Sequence, residues 1–259
     1  MQGLARVGYS TLGSERRYST LAMVKDAQGV EHAAVAVLND VQLYSWDVEL
    51  LQPRRWLNDA LIAFVFEHMN TDLSEGDGVV LLEPTVSFSA GMVPPEFLAE
   101  MLSTGPKGPA RLKALQAARL VLLPVNDNQD TTRQGGGHWS LLAFRRLGDG
   151  GAQFEYYDSC NDANIEAARA IAQNVGPMLT GKQGTTFRAM STPQQSNGHD
   201  CGLYVISVAQ ALCAEALEPA EGAPRMPTQS PAAVLALTPA AVDKKRAQML
   251  GLIEAYAPS

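Results

Sequence analysis

Cys201 stands at a junction in the chain. Around it the sequence runs Gln194-Gln-Ser-Asn-Gly-His-Asp-Cys-Gly-Leu-Tyr-Val-Ile206, polar and glycine-containing before the cysteine and apolar after it. That change reads as a loop feeding a helix. A helix N-terminus, with its dipole and free N–H groups, favours a thiolate, which is the nucleophilic form of cysteine. Taken alone, a cysteine is equally a small core side chain, and that reading suits Cys213 inside the same apolar run. Cys160, just after a strand, reads as incidental.

A cysteine nucleophile needs a base, and the chain has four histidines. His32 lies in a region hard to read, His68 falls on the polar end of a helix, and His199 is too near Cys201 in a tight loop to face it. His138 follows Gly135-Gly-Gly137 and opens a strand, so a glycine loop and a strand end could hold its ring in a cleft. The next strand, Gln153–Tyr157, ends at Asp158. If the two strands are antiparallel, His138 and Asp158 reach the same end, where a carboxylate could fix the imidazole tautomer and stabilise imidazolium. Acyl transfer by a thiolate also builds charge on the scissile carbonyl oxygen. A side-chain amide could meet that charge together with the nucleophile's own N–H. Gln195 is placed to do so, with Gln194 as the second candidate.

Several elements must position these groups. Asn58 or Asp59 caps a helix that starts Ala60-Leu-Ile-Ala-Phe-Val-Phe66 and is apolar almost all round, so it should run through the interior. Arg119–Val125 reads as a buried strand. His138–Phe144 and Gln153–Tyr157 read as an antiparallel pair. Ile165 to Leu179 repeats at three and four as an amphipathic helix, started by Asn161 or Asp162 and ended by Gly181. Thr185–Met190 is a further strand, Cys201–Leu217 a mostly apolar helix, and Thr238-Pro239 starts a last helix running to about Tyr256. Residues 71–78 and 103–109 read as loops. Tyr18–Leu38 reads either as two strands around Asp26-Ala-Gln-Gly29 or as a loosely ordered appendage. The order of elements argues for an α+β fold rather than a doubly wound sheet. The division expected is an N-terminal extension over 1–40 and one domain over 41–259, with a flexible insertion at 219–236.

Composition bounds the partners. The chain has 259 residues, 46% hydrophobic, with 20 Lys+Arg against 27 Asp+Glu and a formal charge of −7. That balance argues against a nucleic-acid or anionic-membrane binder, which needs clustered Lys and Arg, and suits a partner with basic side chains. Three cysteines without CxxC spacing are neither a disulfide framework nor a zinc site. No signal-like N-terminus and no membrane-length apolar run is seen, so the expectation is a soluble chain in a reducing compartment, cytoplasm or nucleus.

The set His, Asp, Gln, Cys, in that order, resembles the ubiquitin-like protease family, which comprises the sentrin/SUMO-specific proteases and their deneddylating relative. The matching stretches are Trp56-Leu-Asn-Asp59, Gly137-His-Trp139, Tyr157-Asp-Ser159 and Gln195-Ser-Asn-Gly-His-Asp-Cys-Gly202. Within the family the chain is most similar to the deneddylating branch, through 50–59, through Val125-Asn-Asp-Asn128 with His138–Leu142, and through 237–246. The resemblance implies a papain-like architecture with a mixed central sheet flanked by helices and the nucleophile at a helix N-terminus. It implies Cys201 as nucleophile, His138 as base and then acid, Asp158 as its orienter and Gln195 as oxyanion donor. Trp139, with Trp56 nearby, would lie over a modifier's Gly-Gly tail, a slot that only glycine passes. Asp59 would face a basic residue close to that tail. The substrate implied is a ubiquitin-like modifier and its conjugated proteins, the neddylation modifier first and SUMO second, with no metal or cofactor. Two other readings are a silent module that only binds such a tail, and an acyltransferase on a related fold. The intact set of four residues argues against the first, and nothing suggests a nucleotide-derived cofactor site for the second.

Overall fold

A computed structural model describes residues 23–25, 29–104, 108–128, 130, 135–147, 150–181, 185–218 and 228–258. It opens with two small antiparallel hairpins: β1 (Met23–Lys25) with β2 (Glu31–Ala33), and β3 (Ala36–Leu38) with β4 (Val41–Leu43). Then come α1 (Ser45–Glu49), α2 (Asp59–Asp72), β5 (Val79–Leu81), α3 (Pro84–Met92), α4 (Pro95–Thr104), α5 (Gly108–Ala117) and β6 (Leu120–Asn126). The chain continues through β7 (Trp139–Arg146), β8 (Ala152–Tyr157), α6 (Ile165–Thr180), β9 (Thr186–Met190), α7 (Cys201–Leu217), α8 (Ala232–Leu235) and α9 (Pro239–Ala255).

Five strands form one mixed sheet in the order β5-β6-β7-β8-β9. The two outer pairings are parallel and the two inner ones antiparallel. Both faces are covered, so the central strands are apolar at nearly every position. Along β6, Leu120 and Leu122 join one core with α2, α7 and α9. Val121, Leu123 and Val125 point to the other core, with α3 to α6. The period of two divides one apolar run between two cores. The fold is therefore α+β, with a mixed sheet flanked by helices, as expected.

Local signals account for the helix ends. Asn58, not Asp59, caps α2, its Oδ1 accepting from Leu61 N at 3.1 Å. Leu61, Ile62, Phe64, Val65 and Phe66 are all buried, which is the interior helix that its all-round apolarity requires. Gly181 ends α6 in the left-handed conformation, and Thr238 caps α9 with Pro239 as its first residue. The expected start of α6 differs. Asn161 and Asp162 adopt φ of 51° and 59° in a turn, and the helix begins at Ile165 after Asn164.

Two further differences concern the ends of the chain. The strands around 26–29 are present as β1–β2, but ordered structure runs on across residue 40, where β3 pairs with β4 and Ala36 and Leu38 enter the core. Of the insertion expected at 219–236, residues 219–227 lie outside the described residues. Its last part holds α8, whose Val234 is buried in the same core. Among the described residues no helix is long and apolar enough to cross a membrane.

Candidate active site

The β7–β8 hairpin brings His138 and Asp158 together. His138 immediately precedes β7, Asp158 immediately follows β8, and Leu141 lies opposite Tyr157. His138 Nε2 meets Asp158 Oδ1 at 2.6 Å, with both residues buried. The same imidazole lies near enough to Cys201 for the two to interact electrostatically. Nε2 is taken by Asp158, so Nδ1 is the nitrogen left for the thiol. Cys201 is buried and is the first residue of α7, so the sulfur lies at the positive end of a helix dipole.

Each member of this chain is tied down from behind. The backbone of His138 is held on both sides: its N–H, with that of Gly137, donates to Asp127 Oδ1 at 3.1 and 2.6 Å. Its carbonyl accepts from the side-chain amides of Asn126 and Asn164. The glycine run makes this path possible. Gly136 adopts φ +102°, and an added Cβ would collide with the Asn126 side chain. Asp158 collects four donors: His138 Nε2 and Cys160 N on Oδ1, Tyr156 Oη (2.6 Å) and Asn164 N (3.3 Å) on Oδ2. Tyr156 and Asn164 were not singled out in the sequence. For Tyr156 a signal existed, since residues i and i+2 of a strand share a face.

The electrostatics follow from this wiring. Burial works against the His138 imidazolium. Its interactions with Asp158 and Cys201, donation to the Asp158 carboxylate first among them, outweigh that cost and push His138 up to about 10. Burial likewise acts to raise Asp158. The bonds from His138 and Tyr156, the His138 charge and the Cys160 N–H win, and its carboxyl falls below its ordinary value. Burial and the neighbouring Asp158 push Tyr156 well up, so it stays a donor. Cys213, whose thiol burial alone lifts to about 12, has no such surroundings.

The two glutamines separate clearly. Gln194 Nε2 donates to the carbonyls of Asp158 and Thr192 at 3.0 and 2.8 Å, which uses both amide hydrogens. Gln195 Nε2 donates to Asn197 O at 2.6 Å, while its Oε1 accepts from Ser159 Oγ. One hydrogen of Gln195 thus remains uncommitted by these bonds.

A groove of about 670 Å³ leads to His138, edged by Trp56, Asp59, Trp139, Asn128 and Gly135. Trp139 donates from Nε1 to Leu57 O at 3.0 Å. Trp56 is 48% exposed, so it is a groove wall and not a core residue. Its ring approaches Gly137, where a Cβ would lie 4.0 Å from it. Leu57 in turn presses on Gly202, where a Cβ would stand only 3.0 Å from Leu57 Cβ. The glycine after Cys201 therefore lets the wall of the groove close on the helix. Asp59 is exposed, and because Asn58 supplies the cap, its carboxylate is free of that duty.

A thiol at a helix N-terminus, beside a histidine that a buried carboxylate holds, is the equipment of a cysteine protease. The chain belongs to the Ulp1 protease family, whose C-terminal catalytic domain matches residues 55–221. Human sentrin-specific protease 8 is 34% identical over 223 residues, spanning 84% of this chain and 95% of that protein. An Arabidopsis thaliana protein named NEDD8-specific protease 1 is 29% identical over 176 residues, 67% of this chain and 73% of its own. Among solved structures, the SUMO protease Ulp1 with its catalytic cysteine oxidised to a sulfonic acid superposes with a TM-score of 0.62. It is 20% identical, with 86% of this chain and 88% of that one covered, and it shares the fold.

Proposed function

We propose that the chain hydrolyses the bond after the C-terminal Gly-Gly of a ubiquitin-like modifier, and that its modifier is the neddylation modifier. The observation that carries this reading is the set Cys201, His138 and Asp158, whose His138 lines a groove edged by Trp56 and Trp139. The relatives named sentrin-specific protease 8 and NEDD8-specific protease support the choice of modifier. A tail without side chains suits a passage between two indoles, since only glycine lets a backbone come so close. Asp59, exposed on the rim, offers a partner to a basic residue just before the glycines.

Cys201 is the nucleophile in this mechanism and His138 accepts its proton. The sulfur adds to the carbonyl carbon of the last glycine, and the oxyanion receives the free Gln195 amide hydrogen and a backbone N–H at the head of α7. The C–N bond breaks as His138 returns the proton to the leaving amine, a target lysine or a propeptide. A water, deprotonated by His138, then attacks the thioester, the C–S bond breaks, and the thiol and free modifier are restored. Asp158 holds the imidazole throughout and stabilises its charged form. A free thiol of this kind suits the reducing cytoplasm or nucleus.

Rates of cleavage of C-terminal fusions of the neddylation modifier, SUMO and ubiquitin test the proposal. The neddylation fusion is expected to be cut fastest, by about tenfold or more in kcat/KM. Preference for SUMO would overturn the choice of modifier, and no cleavage of any fusion would overturn the activity.

A further inference from the structure

We propose that Arg246, on α9, is a positioning residue that sets both ends of the site: the Gln195 amide and the approach segment below Trp56. The inference rests on the proposed roles of Cys201 and Gln195. Arg246 is 7% exposed, and both of its Nη groups are engaged. Nη2 donates to Asp200 Oδ1 and to Arg55 O, both at 2.8 Å. Nη1 donates to Leu50 O at 3.0 Å and Gln52 O at 3.2 Å. One buried cation therefore joins three pieces of chain far apart in sequence.

The first arm runs to the nucleophile loop. Asp200 is the N-cap residue of α7, yet its side chain makes no cap bond. Instead Oδ1 receives Arg246 and Oδ2 receives Asn197 Nδ2 at 2.7 Å. Asn197 Oδ1 accepts from the N–H groups of His199 and Asp200, which closes the loop on itself. The Asn197 carbonyl then takes one hydrogen of Gln195 Nε2, leaving the other to be aimed. Arg246 thus acts on Gln195 through Asp200 and Asn197.

The second arm runs to the groove wall. The three carbonyls bound by Arg246 belong to residues 50–55, a bend in which Arg54 adopts φ 65°. That segment delivers Trp56 and Leu57, and the Leu57 carbonyl in turn holds Trp139. A planar guanidinium spans one carboxylate and three carbonyls at once, whereas a lysine ammonium is a point charge with three donors.

The two arms predict separable kinetic effects in the full chain, with the modifier's C-terminal fluorogenic amide as substrate. Arg246→Met is expected to lower kcat by roughly 10–100-fold, through a misaimed oxyanion donor. It should also raise KM by about fivefold or more, through the loosened 50–55 segment. Arg246→Lys should recover most of kcat, by keeping a cation on Asp200, and leave KM raised. Asp200→Asn should lower kcat alone. In a Gln195→Ala background the further kcat loss from Arg246→Met should shrink to less than about threefold, because the group being aimed is gone. Should Arg246→Met fail to fold, the Lys and Asp200→Asn variants carry the same split. Losses that multiply fully in the Gln195→Ala background, or variants that lower only the melting temperature, would overturn the positioning role. Retention of hydrolysis by Cys201→Ala would overturn the underlying mechanism instead.

Discussion

Asp158→Asn removes the negative charge facing His138 and keeps nearly the same size. Asparagine has one oxygen in place of two. Turned toward His138 it keeps that bond and the one from Cys160 N, and its amide then meets Tyr156 Oη, a hydroxyl that accepts as well as donates. Asn164 N gives up its weaker bond to the replaced oxygen but keeps the one to Tyr156 Oη at 3.0 Å. The fold therefore persists and the loss is electrostatic. His138 stands at about 10 against an ordinary 6.5, an interval worth about 5 kcal/mol at 1.36 kcal/mol per pH unit, net of burial. Asp158 and Cys201 supply it against the cost of burial, so losing the Asp158 charge forfeits on the order of 2–3 kcal/mol, or roughly 10²-fold in rate. The assay is kcat and KM on the fluorogenic modifier amide from about pH 6 to about pH 10.5, beside an NMR titration of the imidazole. In the native chain activity should fall as His138 loses its proton near pH 10; in the variant that limb should move to roughly pH 8. The linked effect on stability has a definite sign. A folded-state value raised above the unfolded one gives stability that is complete below pH 6.5 and lost as pH rises to about 10. The native melting temperature should therefore drop over that window more than that of Asp158→Asn. A variant kcat within about threefold of native at neutral pH, with an imidazole still titrating near 10, would refute the reasoning.

The other substitutions divide the site by function. Gln195→Ala should lower kcat by about 10²-fold and leave KM within about threefold. Gln194→Ala should keep kcat within about fivefold yet lower stability by about 1–3 kcal/mol in urea unfolding, since it strips partners from the Asp158 and Thr192 carbonyls and Asn161 N. Asp59→Lys should weaken modifier binding more at low salt than at high salt, by calorimetry, with only the small loss of stability that a cation in the first turn of α2 brings, about 1 kcal/mol or less. Asn58→Ala should instead cost about 1–3 kcal/mol of stability, because Asn58 both caps α2 and donates to the buried Asp47 carboxylate, and its effect on binding should not depend on salt.

The sequence was most legible where local chemistry decides the outcome. The polar, glycine-containing sequence between the apolar runs 138–144 and 153–157 signals the β7–β8 hairpin, and the hairpin alone places His138 beside Asp158. The shift from polar to apolar chain at residue 201 marks the start of α7. Legibility failed where several residues competed for one role. Asn58 and Asp59 are both good caps, and only the bond to Leu61 N decides between them. Asn161 and Asp162 look like caps but take left-handed positions in the turn before α6. Of the three helices α3, α4 and α5, α3 and α5 carry no clean apolar stripe, and exposed Phe97 and Met101 widen the apolar surface of α4 beyond its buried Leu98 and Leu102. The supports of the site were hidden for a further reason. Arg246 reaches Asp200 across 46 residues and backbone carbonyls nearly 200 residues away, a convergence that no spacing rule encodes.

The central claim is that Cys201 takes the modifier's last glycine. Neddylation modifier, SUMO and ubiquitin, each ending in a propargylamide that captures an attacking thiolate, can be incubated in turn with the chain and the products weighed intact and peptide-mapped. The account predicts one neddylation modifier per chain, joined through sulfur at Cys201, and no adduct with Cys201→Ala. An adduct at Cys160 or Cys213, persistence in Cys201→Ala, or capture of SUMO in place of the neddylation modifier would contradict it.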